Sequence, residues 1–222
     1  MIHSQLLHRE DTALPKQTFF NLAEEKRETL IQAAKKEFSR VSLYEASIAN
    51  IVKEADIPRG SFYQYFKDKD DLYFYLLTEL GEKHWRNLYA NLQKYDGDLF
   101  KSTLKLYEAI LNITDNTNER HFYRNVFLNM NYRTEKSFNH NIDIYLFREK
   151  FFSMKQLVNT RKLNLVNDED LFHIIQMTTT LMFQNIILKF AHNLTNEEAF
   201  KNFTNQLGLM QRGFLKAREE VE

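Results

Sequence analysis

The decapeptide Ile57–Phe66, IPRGSFYQYF, constrains this chain more than any other stretch. It sets Pro58, Arg59 and Gly60 in a row, with four aromatic residues in the next six positions, in a chain that has only two prolines and five glycines over 222 residues. Proline and glycine so close together end one helix and open another. Upstream, Ile48, Ile51 and Val52 recur at helical spacing and predict a short helix over Ser47–Ala55 that stops at Asp56-Ile57-Pro58. Gly60-Ser61 then opens a second short helix to about Phe66, with Arg59 or Ser61 at its start. A longer helix precedes both. Its expected N-cap is Asn21, with Glu24 as capping-box partner, and Leu30, Ala33, Ala34 and Phe38 share one face. Asp68 is the expected cap of another long helix running to about Lys94.

The rest of the chain reads the same way. Helices are expected over roughly 98–114, after the YDGD turn, and over roughly 118–130, 140–160, 168–192 and 196–219. The last opens on a capping-box pattern at Thr195 and Glu198. No β alternation of useful length interrupts this pattern. Low glycine and proline, with much leucine, lysine, glutamate and phenylalanine, agrees with an all-α chain of about nine helices, three short ones followed by a larger bundle.

Thirty basic and 30 acidic residues give a formal net charge of zero. Residues 1–66 are balanced as well, with 9 of each sign. This argues against a protein holding nucleic acid by bulk positive charge and leaves open one that uses a few well-placed groups. No cysteine is present, so neither a disulfide framework nor a thiolate metal site is available. No apolar run approaches the ~18 residues of a membrane span, and the start of the chain lacks the apolar block of a secretory signal. A cytoplasmic protein without a membrane partner is the expectation.

Two short helices joined by a tight turn, with a third packed beneath them, make a helix-turn-helix unit. In such a unit the second helix enters the DNA major groove. Gly60 removes a side chain where backbone must approach phosphate, and N–H groups at a helix start favour phosphate oxygens. Ser61 and Gln64 are compact hydrogen-bonding groups suited to phosphates or base edges. Phe62, Tyr65 or Phe66 can lock the helix to its support, and Tyr63 offers a hydroxyl to the DNA backbone. The competing reading is an aromatic-rich core turn. The preceding helix, the turn and the capped helix that follows agree in favouring the helix-turn-helix.

The stretch ASIANIVKEADIPRGSFYQYFKDKDDLYFYLL resembles the TetR (AcrR-type) family of bacterial transcriptional regulators. The resemblance covers about residues 21–80; beyond it, only helical layout and length are similar. It implies a DNA-binding domain over 1–66 and a ligand-binding and dimerisation domain over 67–222. It makes Ser47 a phosphate contact, Arg59, Ser61 and Gln64 base or groove contacts, and Tyr63, Tyr65 and Lys69 backbone contacts, with Gly60 at the close approach. The chain departs from the family at Asp56, where glycine is usual, and at Pro58. Asp tolerates left-handed geometry better than most residues, so the turn is expected to survive. The resemblance further implies a homodimer through the last two helices, a near-palindromic double-stranded operator, and repression of an efflux or transport operon. A small hydrophobic or aromatic effector would release the operator by moving the base of the helix that starts near Asp68.

The effector cavity is expected among the helices from Asp68 to about residue 192, which are rich in Phe, Tyr, Leu and Met; Phe127, Met130, Tyr132 and Met177 are candidate lining residues. A narrower similarity is to the haem-responsive members of the family that control haem export in Gram-positive bacteria. It implies haem as effector and an axial His or Tyr, with His84 and Tyr132 as candidates beside His121 and His140. Arg133 beside Tyr132 would lower its pKa or pair with a propionate. Lipophilic drugs, fatty acyl species and other aromatic compounds are the alternatives.

Catalytic patterns are lacking: there is no G-x-S-x-G, no glycine-rich phosphate loop and no H-E-x-x-H, and the seven histidines include no i, i+4 pair for zinc. The serious rival is a DNA-binding protein of the same fold that answers to a protein partner, or to no ligand. A filled bundle core would favour that rival.

Overall fold

In a computed structural model of the chain, residues 15–114, 117–128, 150 and 153–215 are described, with 117, 118 and 168 described by backbone alone. Nine α-helices carry the fold among these residues: α1 Gln17–Phe20, α2 Glu24–Arg40, α3 Ile48–Glu54, α4 Arg59–Tyr65, α5 Lys69–Lys94, α6 Leu99–Ile113, α7 Thr117–Leu128, α8 Asp168–Ala191 and α9 Asn196–Phe214. A 3-10 turn spans Thr160–Lys162. The described residues contain no strand, only a single bridge between Leu163 and Leu215. The described residues are all-α, as the sequence predicts. The helix expected over 140–160 lies mostly outside the described residues. Two compact units are present, one formed by the described residues up to Gly81 and one by those from Glu82 on, and α5 contributes to both.

In the first unit α2 packs on α3, α3 on α4, and α1 on α4. The face of α2 read from the sequence, Leu30, Ala33, Ala34 and Phe38, is buried, as are Ile51, Val52, Phe62, Phe66 and Leu72. The Phe38 ring meets the Tyr73 ring edge-on at 5.0 Å. The expected cap of α2 is corrected. Ala23 occupies the N-cap and makes no side-chain cap bond, and Asn21 instead closes α1 as its C-cap. The four residues of α1 are too few to show a hydrophobic period, so the sequence did not announce them.

In the second unit α8 packs on α9, α7 and α6, and α9 packs on α6. Tyr107 lies 4.3 Å from Phe203, ring to ring, and Phe127 meets Phe183 at 4.9 Å and stacks near Phe190 at 6.4 Å. Helix starts carry their caps. Asp98 accepts from the Lys101 N–H at 2.9 Å. Thr195 and Glu198 form the capping box read from the sequence, and Asn167 with Asp170 forms a second. Between α5 and α6, Asp96 and Gly97 are both left-handed (φ 53° and 75°), and the Asp98 N–H closes the turn onto the Tyr95 carbonyl at 3.0 Å. The Gly97 carbonyl accepts from the Asn159 N–H at 2.9 Å, so the turn is also a docking point for the segment before the 3-10 turn.

Residues Glu169–Ala191 of α8 are long and apolar enough to cross a membrane by length and composition alone. A core helix passes the same test. In α8, buried Asn185 donates to the Leu181 carbonyl at 2.9 Å and to Gln206 of α9 at 2.7 Å. Buried Lys189 donates to the Leu194 carbonyl and to Asn196. These polar contacts tie α8 to α9 and to the connection between them.

Candidate nucleic-acid interface

The turn between α3 and α4 is built by backbone geometry that the sequence specifies. Ala55 ends α3, Asp56 adopts φ 52°, and the Ile57 N–H reaches back to the Val52 carbonyl at 3.0 Å. This is a Schellman-type close with Asp where glycine is commonest, and the turn survives the substitution. Pro58 is the N-cap of α4; its φ of −61° suits the position, and no side chain caps the first turn.

α4 divides cleanly into two faces. Phe62 of the helix and Phe66 at its C-cap are buried, with rings 5.8 Å apart. Arg59, Gly60, Tyr63 and Gln64 are exposed, and Ser61 and Tyr65 are half-buried. A Cβ built on Gly60 meets nothing within 4 Å. The protein's own packing therefore does not require glycine there. Seven residues make α4 too short to persist alone, so it depends on its buried aromatic face.

Glu37 of α2 is the hub that places the start of α3. It is buried, and its carboxylate accepts from the Arg40 guanidinium at 2.8 and 3.0 Å, from the Ser47 N–H at 2.9 Å and from the Asn50 amide at 3.0 Å. Burial pushes its pKa up, but the bonds from Arg40, Ser47 and Asn50 outweigh burial and hold it below the ordinary carboxylate value. Ser47 occupies the N-cap of α3, yet its hydroxyl makes no capping bond. Lys69 is the first residue of α5, and its ammonium donates to the Tyr44 carbonyl at 2.6 Å and the Ala46 carbonyl at 3.0 Å. It thereby fastens the loop that leads into α3. Asp68 accepts from the Asp71 N–H at 2.9 Å, in the capping position expected of it.

Ser47, Arg59, Gly60, Ser61, Tyr63, Gln64, Tyr65 and Lys69 thus all belong to α3, α4, the start of α5 or their boundaries. Three contributors were not singled out from the sequence: Glu37, exposed Tyr44, and the segment Lys16–Phe19, which bonds to the end of α4. Apart from Arg40, their partners lie 10 to 49 residues away in the chain, so no local pattern marks them.

In the second unit, the candidate effector residues are placed as follows. His84 is half-buried on α5, with Nε2 3.0 Å from the Tyr123 hydroxyl on α7. Burial, with a smaller contribution from Lys83, lowers the His84 pKa to about 4, so the imidazole is neutral at pH 7. Phe127 is buried and Met177 is 45% exposed. His121 is exposed. Met130, Tyr132 and His140 lie outside the described residues. No cluster of three or more His, Asp or Glu suited to a metal ion occurs among the described residues.

Residues 30–76 match the family described as bacterial regulatory proteins, tetR family. Residues 98–214, just over half of the chain, match the tetracyclin repressor-like C-terminal domain. The chain belongs to the tetR family of bacterial transcriptional regulators, which are not enzymes. It is 46% identical over 59 residues to the HTH-type transcriptional regulator HbdR of Aromatoleum sp. (strain CIB), covering 27% of this chain and 26% of that protein. It is 32% identical over 95 residues to the uncharacterized HTH-type transcriptional regulator YdgC of Bacillus subtilis (strain 168), covering 41% of this chain and 48% of that protein. These matches span about a quarter to a half of the relatives' lengths. Its fold is similar to that of NalD, the secondary repressor of the MexAB-OprM multidrug efflux pump in Pseudomonas aeruginosa. That likeness has a TM-score of 0.61 at 17% identity and covers 87% of this chain and 98% of that one.

Proposed function

We propose that the protein is a cytoplasmic homodimeric repressor that binds a near-palindromic duplex operator through α4 and is released by a small hydrophobic or aromatic effector. The observation that carries this reading is the division of α4, with Phe62, and Phe66 at its C-cap, buried on one side and Arg59, Gly60, Tyr63 and Gln64 presented on the other. A short helix held in this way is the element that enters a major groove. Arg59, Ser61 and Gln64 read bases or groove edges. Tyr63, Tyr65, Ser47 and the remaining donor capacity of Lys69 contact phosphates.

Dimerisation through α8 and α9 is supported by apolar side chains left uncovered on both helices, Met177 at 45% and Leu209 at 62% exposure. A second copy related by a two-fold axis would cover them and would place two α4 helices on half-sites about one helical turn, or a multiple, apart. The effector is assigned to the second unit, whose core is rich in aromatic residues. Haem is one member of that ligand class. Neutral His84 has the protonation state an iron ligand needs, although its Nε2 faces the Tyr123 hydroxyl. As effector, haem would supply an iron that takes an axial nitrogen. Its addition to the purified protein would then give a saturable Soret band that is lost in His84→Ala. A multidrug or other transport operon is the proposed target, in line with the role of NalD. An effector that prefers the DNA-incompetent state by ~1–3 kcal/mol would weaken operator binding ~5–150-fold.

The deciding experiment is selection of bound sequences from a random duplex library. The wild-type protein is expected to select a two-fold-related consensus. Gln64→Ala should relax preference at one or two positions of each half-site, each position worth about 1–3 kcal/mol, whereas Tyr63→Phe should weaken all sequences alike. Failure of the wild type to select any consensus would end the reading. Equal losses on all sequences for Gln64→Ala would remove its base-reading role. Gly60→Ala adds a complementary test. It should stabilise the fold slightly, by about 0.5–1 kcal/mol, because alanine is the better helix former and meets no neighbour, yet weaken DNA binding.

A further inference from the structure

We propose that Lys16–Phe19 form a positioning strap that fixes the C-terminal end of α4 and so aims the outward side chains of Tyr63 and Gln64; the consequence for sequence reading rests on α4 being the recognition helix.

The last four carbonyls of any α-helix lack partners within the helix. At the end of α4, the Phe62 carbonyl accepts from the Phe66 N–H at 2.9 Å. The next three carbonyls in succession are all taken by the strap. The Lys16 ammonium donates to the Tyr63 carbonyl at 2.8 Å, the Thr18 hydroxyl donates to the Gln64 carbonyl, and the Lys16 N–H donates to the Tyr65 carbonyl at 2.8 Å. Two of those carbonyls belong to residues whose side chains face outward. A segment more than 40 residues away in sequence thus completes the hydrogen bonding of this helix end.

The strap has its own anchor. Phe19 is fully buried, with its ring 4.9 Å from Phe66 and 5.2 Å from Tyr75. Pro15 is buried just before the bonded residues, and Asn21 closes α1 just after them. The division of labour follows from the physics. Buried rings are non-directional and set how deeply α4 sits. Hydrogen bonds to three consecutive carbonyls, which all point toward the C-terminal end but sit about 100° apart around the helix axis, set its rotation. No side chain caps the start of α4, so the bonds from Lys16 and Thr18 are side-chain contributions made at its far end.

The test is amide hydrogen exchange on the full-length protein, without DNA, together with affinity for the duplex that the wild type selects from a random library. Combined Lys16→Met and Thr18→Val should reduce protection of the Ser61–Phe66 amides about tenfold, the effect of losing one to two net hydrogen bonds. The α2 amides should not change, and Lys16→Arg with Thr18→Ser should restore protection. The Met/Val variant should also lose about tenfold in affinity for the selected duplex while holding unrelated duplex nearly as well. Unchanged exchange in α4, or an equal loss across α2 and α4, overturns the strap. If the wild type selects no duplex, the DNA-binding reading and the aiming role fall, while exchange still decides whether the segment holds α4.

Discussion

Gly97→Ala is expected to cost about 4 kcal/mol and to lower the melting temperature by about 10 °C. Gly97 sits at φ 75°, where an L side chain is strained. Strain is the smaller part of the effect. A Cβ at this position would lie 2.4 Å from the Leu157 carbonyl oxygen and 2.5 Å from the Asn159 nitrogen. Both atoms are backbone, so no side chain can swing aside, and the whole 157–159 segment must move. Moving it breaks the bond from the Asn159 N–H to the Gly97 carbonyl. Thermal unfolding followed by circular dichroism measures the effect, and an unchanged melting temperature would show that the segment can retreat at little cost.

Glu37→Ala is expected to cost about 2 kcal/mol and to weaken DNA binding through misplacement of α3. Arg40 is more than half exposed, so the ion pair itself contributes little. The larger loss is that the Ser47 N–H and the Asn50 amide no longer have an ionised acceptor. The pH dependence follows from the lowered pKa of Glu37. The contribution is complete above the ordinary value of about 4.5; below it the unfolded chain takes up the proton first, so stability falls as pH drops from there through the folded value. Glu37→Gln should therefore show a shallower loss of stability with acid than the wild type. Parallel curves from pH 7 down to about 3 would mean that other carboxylates carry the acid sensitivity.

What could be read from the sequence was what adjacent residues specify. The α3–turn–α4 arrangement follows from the spacing of Ile48, Ile51 and Val52 and from Asp56-Ile57-Pro58, and it is present. The Thr195–Glu198 box is local and is present. Asn21 misled because it satisfies the same local pattern as a real N-cap, while the chain spends it on closing a four-residue helix. Apart from the Glu37–Arg40 pair, the Glu37 hub, the bonds from Lys69 to Tyr44 and Ala46, the strap and the His84–Tyr123 pair join residues 10 to 49 apart. Each depends on which helix faces arrive together, and periodicity shows only that a face exists.

Gly60 carries an evolutionary consequence. Within the molecule the position is open, and selection for stability alone would favour replacing glycine with a better helix former. Gly81 and Gly213 are open in the same way, so none of the three is required by packing within the fold. Among descendants of this protein, a change at residue 60 would meet no steric obstacle within the fold, whereas a change at residue 97 would first have to be accommodated by it.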